Sequence, residues 1–275
     1  MAVRFFLVLT NMVATSGYNV RANGIRHHLI RFHGDGPELL VIPGITSPAI
    51  SWGFVAERLC ERFDVHVLDV RGRGLSEAGD LDYSLVSMAT DAVELVQAIG
   101  LSKPIILGHS MGARTAIRAA HMSPNTFSSL ILVDPPVSGP GRREYPSAWL
   151  WYEDSIRMAV KGCSAEDMKA YCPTWTPTQL AQRAEWLHTC QLDAIKAAYD
   201  GFHSDDIHQY LPDLKLAVRL VVAGDAPVIQ DQDIEEIKSL NPAIDVKIVD
   251  DAGHMIPWDN LEGFLRAVME FDVAN

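Results

Sequence analysis

Pro104-Ile105-Ile106-Leu107-Gly108-His109-Ser110-Met111-Gly112-Ala113-Arg114-Thr115-Ala116-Ile117 is the stretch on which the fold turns. Its apolar opening, Pro104 to Leu107, reads as a buried strand, and Ala113 to Ala120 reads as a helix. Between them lies Gly-x-Ser-x-Gly, with Ser110 at the strand-to-helix turn, the pattern of a nucleophile elbow. Gly108 and Gly112 have a steric purpose. The turn is too sharp for side chains beside the serine, and glycine alone avoids the Cβ clash. A chance match in a glycine-containing turn is the competing reading, and the strand and helix on either side weigh against it.

Outward from the elbow the chain alternates strands and helices. Asn19–Ala22 and Ile25–Phe32 read as a hairpin closed by Asn23-Gly24. Leu39–Ile42, Val65–Asp69, Leu130–Val133, Val218–Val222 and Val246–Val249 read as further strands, with helices at Trp52–Phe63 and Leu85–Ile99 among the connections. An antiparallel start followed by parallel units predicts an α/β fold: a mixed, mostly parallel sheet with helices on both faces. Residues 136–213 break the rhythm. They carry no convincing strand and hold Trp149, Trp151, Tyr152, Tyr171, Trp175 and Trp186. This segment reads as a helical cap, with 1–135 and 214–275 as the core. Most of its aromatics are expected to pack between cap and sheet, and a few to line a pocket.

At 275 residues the chain can bury a full α/β core with one insertion. Its formal net charge of −12 excludes a nucleic-acid partner, since no excess of Lys and Arg is available to neutralise phosphates. An anionic ligand would need a local cationic pocket. Cys60, Cys163, Cys172 and Cys190 form no Cys-x-x-Cys pair and read as reduced thiols of a cytoplasmic protein. The run Phe5–Leu9 after Arg4 is too short for an export signal, so residues 1–16 read as an extension of the fold, with Met12 as an alternative start. No run is long enough to span a membrane. No cofactor or metal motif is visible. His27 and His28, adjacent on a strand, point to opposite faces and cannot share an ion.

Acyl transfer by a serine needs a base, an orienting acid and an oxyanion hole. His254, in Asp251-Ala252-Gly253-His254-Met255 just after the last strand, suits the base. A loop at the carboxyl end of a strand is where open α/β sheets place ligands. Asp134 after the sixth strand and Asp225 after the seventh are both acid candidates. The N–H groups of Met111 and of Ile45, which follows Pro43-Gly44, suit the oxyanion hole.

Pro43-Gly44-Ile45, Asp69-x-Arg71-Gly72-x-Gly74-x-Ser76, the elbow and Gly253-His254 together resemble the α/β-hydrolase superfamily over nearly the whole chain. Most members carry the acid three residues after a Gly ending the seventh strand. Here that position is Pro227, and Asp225 lies too early, so the expected acid is Asp134. The Asp69–Ser76 stretch is expected to hold a turn rather than touch substrate. Ile42–Ile50, Val133–Arg143, Ala184–Cys190 and Ala252–Trp258 resemble, more narrowly, the N-formylmaleamate deformylase family of nicotinate degradation. That resemblance implies a Ser110, His254 and Asp134 triad, a small anionic substrate, hydrolysis to formate and maleamate, and no cofactor. Arg142 and Arg143 are then the expected carboxylate clamp, with Tyr145, Trp186 and His188 on the pocket wall. The rival readings are a carboxylesterase or carbon–carbon bond hydrolase of the same fold, and a non-catalytic binding protein. Oligomeric state is left open, a homo-oligomer included.

Overall fold

The computed structural model describes residues 13–271. Strands β1 (Thr15–Ala22), β2 (Ile25–Phe32), β3 (Glu38–Ile42), β4 (Asp64–Asp69), β5 (Ile105–His109), β6 (Ser129–Val133), β7 (Ala217–Ala223) and β8 (Asp245–Val249) form one eight-stranded sheet in the order β1-β2-β4-β3-β5-β6-β7-β8. The β1–β2 and β2–β4 pairs are antiparallel and the rest are parallel. Asn23 and Gly24 both take positive φ, 47° and 76°, which is what a two-residue hairpin turn matched to strand twist demands. The first strand starts at Thr15 rather than Asn19, so Thr15 and Ser16 belong to the sheet and not to an extension. Residues 1–12 of that expected extension lie outside the described residues.

Every residue of β5 and β6 is buried, as are Leu39 to Ile42 of β3. Successive strand side chains point to opposite faces, so both faces of the central sheet are covered. The helices are α1 (Gly53–Leu59), α2 (Leu85–Ala98), α3 (Met111–Met122), α4 (Trp149–Lys161), α5 (Ala165–Met168), α6 (Pro177–Trp186), α7 (Leu192–Ser204), α8 (Asp231–Leu240), α9 (Ile256–Asp259) and α10 (Leu261–Met269). Helices α2 and α3 pack together, and α1 packs on α10. Helices α4 to α7 all fall between β6 and β7, where the described residues hold no strand. Two buried arginines tie this insertion to the core. Arg114 of α3 donates to the carbonyls of Pro136 and Ser138 and, at the end of α7, of Gly201 and Asp205. Arg73, after β4, donates to the Ala194 carbonyl at the start of α7. Among the described residues no helix is long and apolar enough to cross a membrane, and no cluster of His, Cys, Asp and Glu could hold a metal ion. Cys60, Cys163, Cys172 and Cys190 are unbridged.

Candidate active site

Ser110 joins β5 to α3 with φ 53° and ψ −116°, a left-handed conformation that costs a non-glycine residue on the order of 1–3 kcal/mol. The neighbouring glycines make that turn possible. A Cβ on Gly112 would sit 1.9 Å from the Ile42 carbonyl oxygen, and one on Gly108 would sit 2.3 Å from the Gly112 oxygen. Helix α3 therefore packs backbone to backbone on the end of β3. The Ser110 N–H is fixed by the Val133 carbonyl at 2.8 Å.

The side chains of Ser110, His254 and Asp134 converge. His254 Nδ1 lies 2.6 Å from Asp134 Oδ2, and Nε2 lies 2.9 Å from Ser110 Oγ. A carboxylate only accepts, so Nδ1 carries the proton and Nε2 is free to accept from the serine hydroxyl. Asp134 is wholly buried, and its other oxygen accepts from the Ala223 N–H at 3.3 Å. It too takes positive φ, 45°, as it leaves β6, and its N–H donates to Val221. The acid thus reaches across the end of β7 to the histidine that follows β8. Asp225 is exposed, its N–H given to the Ala252 carbonyl, and no hydrogen bond or ion pair joins it to His254.

His109 sits beneath His254. Its Nε2 donates to the His254 carbonyl at 2.9 Å, which leaves Nδ1 as a buried lone pair beside Gly44. Burial first, and the neighbouring His254 second, push its pKa down to about 3, so it stays neutral.

Met111 opens α3, and the N–H of a first helical residue has no partner within the helix. Ile45 lies on the loop after β3 and lines the cavity above Ser110. Arg73 touches both residues: Nε donates to the Ile45 carbonyl at 3.1 Å, and Nη2 lies 3.4 Å from Met111 Sδ. It is 1 % exposed, and burial lowers its pKa to about 10. The Asp69–Ser76 stretch holds the same loop from behind. Asp69 accepts from the N–H groups of Ala49 and Leu75, and Gly74, at φ 56°, lies so close that a Cβ would meet the Asp69 carboxylate at 2.0 Å.

A cavity of about 300 Å³ opens above Ser110 and His254, at the small end of ligand sites. Tyr145 lines it. Its hydroxyl is 3.1 Å from that of Tyr152, and its ring lies 6.3 Å from the His254 ring. Burial raises the pKa of both phenols, so they are neutral hydroxyl groups facing the cavity. The other expected wall residues are elsewhere. His188 is exposed, and Trp186 lines a separate, much smaller pocket. The expected clamp does not hold either. Arg142 is spent on Glu236, at 2.7 and 2.9 Å, and on Asp206, at 3.2 Å, while Arg143 binds Asp233 and the Pro227 carbonyl. Both arginines lock the entry of the insertion onto α8, and neither lines the cavity.

The cation that does line it is Arg183 of α6. It is 7 % exposed, with its guanidinium 5.5 Å from the ring centroids of both Trp151 and Trp175. Its bonds to Thr46, to the carbonyl at 3.5 Å and Oγ1 at 3.4 Å, are long. Trp175 in turn stacks on Trp258 of α9 at 5.2 Å and 16°. The sequence does carry one sign of Arg183. The capping box Thr176-Pro177-Thr178-Gln179 starts α6, and the three- and four-residue spacing of Leu180, Arg183 and Leu187 puts an arginine on the buried stripe.

The sequence pattern of the alpha/beta hydrolase family matches residues 39–267. N-formylmaleamate deformylase of Pseudomonas putida is 57% identical over 257 residues, 93% of this chain and 96% of that protein. The crystal structure of N-formylmaleamic acid deformylase from Pseudomonas putida S16, a serine-to-alanine variant, matches with a TM-score of 0.90 at 64% identity, covering 92% of this chain and all of that one. E-2-(acetamidomethylene)succinate hydrolase, 22% identical, shares the fold with a TM-score of 0.78 over 95% of this chain. The eight-stranded sheet, the elbow and this likeness lead to one conclusion: the chain belongs to the alpha/beta hydrolase family.

Proposed function

We propose that this protein is an N-formylmaleamate deformylase, hydrolysing the formyl C–N bond to give formate and maleamate. The observation that carries the proposal is likeness to such an enzyme through the helical insertion as well as the sheet, at 57% identity over 93% of the chain. About half of the cavity wall comes from that insertion, and the wall selects the substrate. The relay from Ser110 through His254 to Asp134 supplies the chemistry.

Ser110 Oγ attacks the formyl carbon while His254 Nε2 takes its proton. Asp134 holds the tautomer and balances the imidazolium. The oxyanion is received by the N–H groups of Met111 and Ile45. His254 returns the proton to the departing imide nitrogen, and maleamate leaves. Water, activated by the same histidine, then hydrolyses the formyl ester to formate. The hydrogen on the formyl carbon is the smallest acyl substituent, which suits a small cavity. The four unbridged thiols suit a reducing cytoplasm.

Formate release from N-formylmaleamate tests this directly. The wild type is expected to turn over, and Ser110→Ala to lose at least about 10⁴-fold in kcat. A faster reaction with p-nitrophenyl esters than with the imide would make the protein an esterase. Failure of a fluorophosphonate to label Ser110 would make it a binding protein.

A further inference from the structure

Five arginines of the described residues are buried: Arg71, Arg73, Arg114, Arg183 and Arg219. Arg71 and Arg219 are paired, with Asp91 and Asp245. Arg73 and Arg114 give their donors to main-chain carbonyls. Arg183 has no ion-pair partner and a single long bond to a main-chain carbonyl, that of Thr46. No carboxylate lies within ion-pair distance of it among the described residues, its Nε–H is buried without a partner, and its two bonds to Thr46 are at the limit of hydrogen-bond length. The two tryptophan rings, each with its centroid 5.5 Å from the guanidinium, return part of the cost of burying the charge. A buried cation of this kind lacks a counter-ion. The one carboxylate on the same wall, Asp259, is engaged elsewhere, accepting from Thr174 Oγ1 and from the Gly253 N–H.

We propose that Arg183 is the binding site for the substrate carboxylate, and that it decides which of the two carbonyls on the imide nitrogen meets Ser110. This rests on the deformylase reading above. N-formylmaleamate has two carbonyls on one nitrogen. Attack on the formyl carbon gives formate and maleamate, whereas attack on the other gives maleate and formamide. Both are ordinary acyl transfers, so the serine alone does not choose. A carboxylate on the planar fork of Arg183 fixes the far end of a short, rigid, cis-unsaturated molecule. The fork is bonded to Thr46, the residue after Ile45, so the anchor and the oxyanion loop share one segment. In a chain of net charge −12, this local cation also answers the long-range repulsion of an anion.

The test compares wild type, Arg183→Met and Arg183→Lys on N-formylmaleamate and on neutral N-formylacetamide. Arg183→Met is expected to lose about 100-fold or more in kcat/KM on the anion, at least about 30-fold more than on the neutral imide. It should also release formamide beside formate. Lysine, which keeps the charge without the fork, should recover part of the loss. Equal losses on both substrates would overturn the proposal. A second readout does not depend on deformylase turnover: maleamate should slow fluorophosphonate labelling of Ser110 in the wild type and fail to do so in Arg183→Met, or weaken tenfold in Arg183→Lys if the methionine variant does not fold. Wild type that releases no formate yet is protected by maleamate would end the deformylase reading and uphold the carboxylate site. Labelling at one rate with and without maleamate would end the site.

Discussion

Ser110 and Asp134 are held by main chain. Each leaves its strand with positive φ, and each has its N–H fixed by the carbonyl of the adjacent strand, Val133 for the serine and Val221 for the aspartate. Arg183, across the same cavity, is held by two tryptophan faces and two long bonds to one threonine. The reacting groups are thus set by the sheet, whose geometry tolerates little variation, and the selecting group is set by side-chain packing in the insertion. Chemistry and choice of substrate occupy one cavity and rest on different kinds of structural support.

The largest effect expected on the sheet side comes from the acid. Asp134→Asn is expected to lower kcat by about 10⁴, because the amide favours the wrong imidazole tautomer. Asp225→Asn, at an exposed residue with no hydrogen bond to His254, is expected to change kcat less than twofold. Steady-state formate release checks both, and the reverse order would mean that the relay described here is not the working one.

A smaller effect sharpens the comparison through stability. His109 has a folded pKa of about 3, below the ordinary value of 6.5. The unfolded chain therefore binds the extra proton first, so stability is full above pH 6.5 and is lost as pH falls toward 3, by up to about 1.4 kcal/mol per pH unit. His66 and His208 are also depressed by burial, so the informative quantity is a difference between proteins. His109→Gln, unfolded in urea at pH 7 and pH 5, is expected to lose less stability on acidification than the wild type by about 1–2 kcal/mol. An unchanged difference would mean that His109 takes up its proton in the folded protein.

The smallest effect is expected where charge is plentiful and solvent is close. Arg142→Ala breaks ion pairs with partly exposed Asp206 and Glu236, and should cost under about 1 kcal/mol in denaturant unfolding with KM for the anionic imide unchanged. A tenfold rise in KM would return the clamp to that arginine.

The difference between the two regions also explains how far the sequence could be read. Gly108 and Gly112 are required because a Cβ at either would fall about 2 Å from a backbone oxygen, so their spacing around Ser110 is visible in the chain itself. Pro227 stands where the acid of most relatives would be, which leaves Asp134, and the run that leads into it, Leu130–Val133, is wholly apolar. In the insertion, the cluster of tryptophans is legible and so is its share in a pocket wall, but not which residue it flanks there. Trp151 and Trp175 lie on different segments, and only their three-dimensional approach to Arg183 shows which cation they flank. Arg142 and Arg143 stood out as a charged pair at the mouth of the insertion, yet Asp206, Asp233 and Glu236, distant in sequence, neutralise them. Arg183 carried its signal in periodicity alone, between Leu180 and Leu187.

Arg73 and Arg114 anchor α7 at its two ends, each a buried cation satisfied mainly by main-chain oxygens. Such donors recognise backbone shape and ignore side-chain identity. The residues of α7 that face the solvent can therefore drift without loosening the helix, whereas a foreign insertion transplanted onto this sheet would leave two guanidinium groups stranded unless it brought carbonyls to the same places. Divergence toward new substrates is then easiest by exchanging single residues on the resident helices, and hardest by replacing the segment whole.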